Sequence, residues 1–254
     1  MAKCYKPVLY SDVRGKMGDV VFSNYKGTTV VRIYSDKYKN RPKLIDTIDK
    51  AMNHPITKGE VRLLGSQLLL GLLSWLYKRK LGPSVGEAWE KICKSKKLTS
   101  PDMFIGYNLS EILNSIPVAD KLIGINNMPD FTKLLITEGT LFEQTWITKM
   151  TYNPSTGDLC MEWTTNTFIR GKPDDNAHII IIYWGPPDFT TLNANNSKPW
   201  STMQVWSSDK ESIKRRDGSV TIKIGEKLNP DYITGFLFFT NGPDYSRSIS
   251  AQIK

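Results

Sequence analysis

From Trp146 to Ile253 the chain has one texture: short runs rich in Val, Ile, Phe, Trp and Thr, each closed by Pro, Gly, Asn or Asp. The runs are Trp146–Tyr152, Asp158–Thr164, Ala177–Trp184, Thr202–Trp206, Ser219–Ile224, Ile233–Thr240 and Ser246–Ile253. Runs of this length bounded by turn residues read as strands. Seven such runs in about a hundred residues therefore predict two antiparallel sheets closed on each other as a sandwich.

The beginning of the chain poses a different problem. In "GKMGDVVFSNYKGTTVVRIYS", Asp19–Tyr25 and Thr28–Ser35 read as two strands joined by the turn Lys26-Gly27. A two-stranded ribbon is marginal in water, so it must lie on something else. Lys58–Lys80 then reads as a helix with Val61, Leu64, Leu68, Leu72, Trp75 and Leu76 on one side and Leu63, Leu70 and Leu73 on others. A helix apolar nearly all round is covered on most of its surface. Gly82-Pro83 is expected to end it, and Ser84 with Glu87 to form the capping box of the next helix. Ser100 is expected to cap a third helix, with Pro101 at its first position.

The division that follows is an N-terminal hairpin arm (1–50), a helical domain (51–128) and a β-sandwich (140–254). The fold class is α+β and multidomain: a β-hairpin with a helical bundle, then an all-β sandwich. No signal peptide is read at the N-terminus. Leu63–Tyr77, the most apolar stretch, is shorter than the ~20 residues a membrane span needs, so no span is expected.

Charge is split along the chain. Residues 1–100 carry 20 Lys+Arg against 8 Asp+Glu, whereas residues 101–254 carry 14 against 17. Such asymmetry suits an acidic neighbour or a weak, salt-sensitive nucleic-acid contact. Cys4, Cys93 and Cys160 are too widely spaced for a zinc pattern or a disulfide framework. His54 and His178 are the two histidines, and neither has a partner at metal-ligand spacing. Cys93 sits among lysines but has no histidine near it in sequence, and "KPDDN" (172–176) reads as a turn. No catalytic constellation, metal site or cofactor is expected. Trp184 and Trp200 are the candidate ligand aromatics, able to stack on a sugar or anchor a protein contact.

Two resemblances add to this reading. In "GDLCMEWTT" Trp163 stands where fibronectin type III domains carry their core tryptophan. In "LNPDYITGFLFFTNGPDYSRSIS" Leu228, Pro230 and Tyr232 resemble that family's L-x-P-x-x-Y corner, shortened by one residue. The likeness implies an immunoglobulin-like fold with Trp163, Leu228 and Tyr232 in its core. The whole chain also resembles an uncharacterised family of Bacteroidota and tailed-phage proteins. The carrying stretches are "GKMGDVVFSNYKGTTVVR", "EAWEKICKSKKLTSPDMFIGYN" with Trp89, Phe104 and Asn108, and "KLLITEGTL".

That second resemblance implies a virion or assembly component, located in the virion or in the host cytoplasm during assembly. The expected function is a non-enzymatic structural protein in capsid decoration, neck or tail, contacting copies of itself and other virion proteins. Val20, Val21, Phe22, Tyr25, Val30, Val31, Leu68, Leu72 and Trp75 are the expected assembly residues. The alternative is a binding module, for carbohydrate through the sandwich aromatics or for nucleic acid through the basic half.

Overall fold

The computed structural model describes residues 2–4, 15–17, 20–25, 28–33, 69–93, 98–115, 130–139, 141, 145–165, 171–183, 203–208 and 213–253. The chain divides into two compact units, Met1–Asp46 and Thr47–Lys254. Among the described residues the fold is α+β, one long helix and a shorter one with antiparallel sheets.

The first unit holds four strands: β1 (Ala2–Cys4), β2 (Gly15–Met17), β3 (Val20–Tyr25) and β4 (Thr28–Ile33). Their order is β1-β4-β3-β2, antiparallel throughout. The expected two-stranded arm is therefore corrected. β3 and β4 form the centre of a four-stranded sheet, and two three-residue strands pair their outer edges. Unpaired edge N–H and C=O groups favour such additions, and three residues leave little periodic trace in a sequence.

In the second unit residues 69–76 are α-helical, Tyr77–Leu81 form a π turn, and α1 (Gly82–Cys93) follows without a break. The helix does not end at Gly82-Pro83. A proline inside an α-helix lacks a donor and presses on the carbonyl four residues back. The wider turn relieves this: the Gly82 N–H bonds the Tyr77 oxygen, and a Cβ at Gly82 would lie 3.0 Å from that same oxygen. Ser84 and Glu87 therefore sit within a helix rather than at its start. Their side chains meet the sheet instead, Ser84 Oγ at 3.3 Å from Ser207 Oγ and Glu87 Oε2 accepting from the Tyr245 hydroxyl at 3.1 Å.

The second helix, α2 (Ser100–Ser115), starts one residue earlier than expected in its capping. Thr99 Oγ1 accepts from the Asp102 N–H at 3.3 Å, and Asp102 Oδ2 accepts from the Thr99 hydroxyl at 2.6 Å. Pro101 falls in the first turn, where no N–H is needed. Among the described residues, no helix is long and apolar enough to cross a membrane.

The remaining strands are β5 (Ile147–Asn153), β6 (Asp158–Trp163), β7 (Asn176–Tyr183), β8 (Gln204–Ser207), β9 (Ser219–Lys223), β10 (Ile233–Asn241), β11 (Asp244–Tyr245) and β12 (Ile249–Gln252). One sheet runs β5-β6-β9; the other runs β11-β10-β7-β8, with β12 also on β10. Met150, Leu159, Met161 and Trp163 from the first meet Ile179, Ile181, Leu237 and Phe239 from the second in one core. Ile180, Ile182, Phe236 and Phe238 are also buried, yet they alternate with those core residues and so lie on the opposite face of β7 and β10. Ser207 pairs with Ile180 on that face, and Ser84 reaches it from the helix. The helix thus forms a third layer over the second sheet.

A last piece joins the layers. After the 3-10 turn Phe131–Lys133, residues 134–139 run extended and pair into neither sheet. On one side Trp89 Nε1 donates to the Ile136 oxygen at 2.8 Å. Asn108, fully buried, donates to the Phe104 and Leu135 oxygens and accepts from the Leu135 N–H at 2.6 Å. On the other side Ser248 Oγ accepts from the Ile136 N–H, the Thr137 hydroxyl donates to the Ser246 oxygen, and Ser250 Oγ donates to the Thr132 oxygen. Gly139 is required here: a Cβ would sit 2.0 Å from the Tyr245 oxygen.

The corner at the end of the sandwich differs from expectation. Tyr232 closes the 3-10 turn Pro230–Tyr232, half-buried and outside the shared core, while Leu228 packs against that core from its edge. The hydroxyl bonds come from Tyr152, which donates to the Gly225 oxygen at 2.6 Å and accepts from the Leu228 N–H at 2.9 Å. Tyr152→Phe is expected to lower stability by about 1–2 kcal/mol, since both backbone groups lose their partner. Tyr232→Phe should stay within about 0.5 kcal/mol. Urea denaturation of the two variants checks the contrast, and equal losses would return the corner to Tyr232.

Candidate functional site

An open groove of about 590 Å3 lies where α2, residues 132–135, the start of β5 and residues 247–250 come together. Its floor is the extended segment held by Asn108 and the serines of "SRSIS". α2 brings Tyr107 and Glu111 to one wall, Tyr107 leaning on the Trp89 ring at 5.5 Å between centroids. Trp146 also lines the groove and is 59% exposed, against 37% for Tyr107.

The exposure of Trp146 has a local cause. A β-bulge between Ile147 and Lys149 shifts the register of β5 against β6. Strict alternation from Met150 would put Trp146 inward; the extra residue turns Ile147 toward the core instead, where it packs, and leaves the indole outside. The backbone beneath the ring is fixed. The Trp146 N–H donates to Thr164 Oγ1 at 3.3 Å, the Trp146 oxygen accepts from the Thr164 N–H at 3.2 Å, and the preceding Thr145 is buried under Arg215.

Charges around the groove nearly balance. Lys133 and Glu111 are exposed, and Arg247 reaches Glu138 at 3.6 Å across the surface. The strongest electrostatic pair lies deeper, outside the groove. The Arg215 guanidinium meets Asp175 Oδ2 at 3.1 Å, both side chains 1% exposed, donates to Thr145 Oγ1 at 3.0 Å and stacks 3.9 Å over the Phe239 ring. Gly171 leaves room for it, since a Cβ there would lie 2.5 Å from the guanidinium carbon. "KPDDN" is a turn as read, but its second carboxylate is a buried anchor. Burial pushes the Tyr77 phenol up, against a lowering bond from Ser100, and burial does the same to Tyr183; neither lines the groove.

The other expected residues fall as follows. Trp163 is buried in the shared core and donates through Nε1 to the Arg215 oxygen at 3.0 Å. Leu72 is fully buried within the second unit, so it is withdrawn from an assembly surface; Trp75 is half-buried, with Lys80 Nζ 5.9 Å from its ring. Val20, Val21, Phe22, Tyr25, Val30 and Val31 lie on the two central strands of the N-terminal sheet. Leu68, Trp184, Trp200 and His54 lie outside the described residues. His178 stacks on Phe238 at 5.0 Å and shares a hydrogen bond with Thr240. Cys93 is buried. Asn108, in the glycosylation-like "NLS", has its amide wholly engaged in the fold. Among the described residues no group of three His, Cys, Asp or Glu could hold a metal ion.

Comparison with known proteins adds little. No family model matches the chain, and no curated protein matches it. Among solved structures, the chain has a likeness to the chicken CNTN1 FN1–FN3 domains, at 10% identity and a TM-score of 0.24. That likeness covers 46% of this chain and 34% of the other, so the chain spans about a third of that protein's length.

Proposed function

We propose that this chain is a non-enzymatic structural protein, a tailed-phage virion component of the capsid surface, neck or tail, which assembles with its own copies and other virion proteins through its N-terminal unit. The observation that carries the reading is the register of the N-terminal sheet. Cross-strand partners share a face. Ala2, Cys4, Gly15, Met17, Val20, Phe22, Asn24, Thr29, Val31 and Ile33 therefore fall on one face, and Lys3, Lys16, Val21, Ser23, Tyr25, Thr28, Val30 and Arg32 on the other. A sheet with a largely apolar face calls for a second layer. A copy of the same sheet supplies it, face to face.

The opposite face concentrates cations, which supports a weak, salt-sensitive contact with a polyanion. The second unit is read as a fibronectin type III-like sandwich with Trp163 in its core, carrying the display or contact role. The strand order of the two sheets and the single shared core support this reading.

The register provides a sharp test. Phe22→Lys places a charge on the apolar face and should dissociate the oligomer, shifting the midpoint at least tenfold in mass photometry. Val21→Lys, one residue along and on the cationic face, should leave assembly intact. A full-length chain that is monomeric at tens of micromolar, or two variants with equal effects, would sink the proposal.

A further inference from the structure

We propose that the groove beside Trp146 binds a neutral saccharide, with the indole as its stacking face. Three observations converge on that ligand.

The first is the ring itself. The bulge in β5 turns a large aromatic outward while the backbone on which it stands is pinned to Thr164 and, through Thr145, to the buried Arg215. An indole that stands exposed on a fixed backbone has only two side-chain torsions to lose when a flat partner lies on it. The C–H face of a pyranose is such a partner, apolar on its flat side and polar around its rim.

The second is the state of the groove's backbone. The N–H of Ile136, the oxygen of Thr132 and the N–H of Ser248, which bonds the Thr137 oxygen at 3.0 Å, are already used between residues 132–137 and the serines Ser248 and Ser250. A peptide added as a strand would find no free ladder on this floor. Of the apolar lining residues Leu134 is buried and Leu135, Ile147 and Ile249 are half-buried, which leaves little apolar surface for an anchoring side chain. Recognition falls to side chains, and those available are hydroxyl-matching groups: the Glu111 carboxylate, the Lys133 ammonium and the Arg247 guanidinium.

The third is charge. With Glu111 and Lys133 both in the groove lining and Arg247 tied to Glu138, no single sign dominates. A polyanion gains nothing there; a neutral polyol, which both donates and accepts, matches a mixed lining.

None of the residues that line the groove belongs to the N-terminal unit, so its test is independent of assembly. Indole N–H signals of the full-length chain are followed by NMR, with the Trp146 signal assigned by its loss in Trp146→Phe. The probes are cellotetraose, chitotetraose and maltotetraose, with tetragalacturonate and a Leu-Ala-Leu-Ala peptide as rivals. At least one neutral tetrasaccharide should shift the Trp146 signal with millimolar affinity, on the order of 1 mM. Trp146→Ala should weaken binding at least about tenfold with an unchanged melting temperature, because the ring is exposed and its backbone bonds remain. Glu111→Gln should weaken the same sugar severalfold. The inference is overturned if no neutral sugar moves the signal at about 10 mM, if tetragalacturonate or the peptide binds more tightly, or if Trp146→Ala binds as well as the native chain.

Discussion

Replacing Asp175 by alanine is expected to lower the stability of the second unit by about 3–5 kcal/mol, the usual result of stranding one member of a buried ion pair. Arg215 is left with its charge buried and no carboxylate against it. Its guanidinium lies between the Phe239 ring and the Gly171 backbone, 1% exposed, and water has no ready path to it. The loss spreads beyond the charge. Asp175 Oδ2 also accepts the Lys172 N–H, the Asp175 oxygen accepts the Arg215 N–H, and the Arg215 oxygen holds the Trp163 indole. The pair therefore locks the turn before β7 to the turn before β9 and to the core tryptophan. Arg215→Met with Asp175→Leu removes both charges at once and should recover much of the loss, as such apolar replacements often do. Urea denaturation of the full chain separates the cases. A loss under about 1 kcal/mol for Asp175→Ala would mean that the guanidinium is hydrated in solution.

Why this anchor escaped sequence reasoning is plain from its spacing. Asp175 and Arg215 stand 40 residues apart in the chain, and each sits in a polar run that reads as a surface turn. The neighbouring pair, Arg216 with Asp174 at 2.7 Å, is indeed a surface one, 61% and 73% exposed. Nothing local distinguishes the two carboxylates; only closure of the sandwich buries one of them. The strands themselves were legible, because period-2 alternation is a local property that each run carries within itself. Trp146 failed for the converse reason, since a bulge resets the alternation by one residue and leaves no mark in composition. Gly82-Pro83 misled in a third way: the rule that proline ends a helix assumes α geometry, and a single π turn relaxes it. The resemblance stretches around Trp89, Asn108 and "KLLITEG" do acquire a physical meaning, since the first two hold the backbone of the third.

That clasp carries the last expectation. Asn108→Ala should lower stability by about 2–4 kcal/mol, since it strips partners from both the N–H and the oxygen of Leu135 within a buried layer. Trp89→Phe removes one bond, to the Ile136 oxygen, and some packing against Phe104, whose ring meets the indole edge-on at 5.8 Å. Its loss should be smaller, about 1–3 kcal/mol. The two side chains grip adjacent residues of one strand-like segment, so their effects should not add: once either lets go, the segment can lift and the other bond is already weakened. Hydrogen exchange gives the specific readout. The Leu135 amide, bound to Asn108 Oδ1 at 2.6 Å, should exchange far faster in Asn108→Ala while amides in the centre of β10 keep their protection. If β10 loosens in step with Leu135, the clasp is part of one cooperative core. If Leu135 loosens alone, the helical layer can part from the sandwich locally. The polar bonds of Asn108 and Trp89 on one side and Ser248 and Ser250 on the other would then be what sets how firmly the groove floor is held.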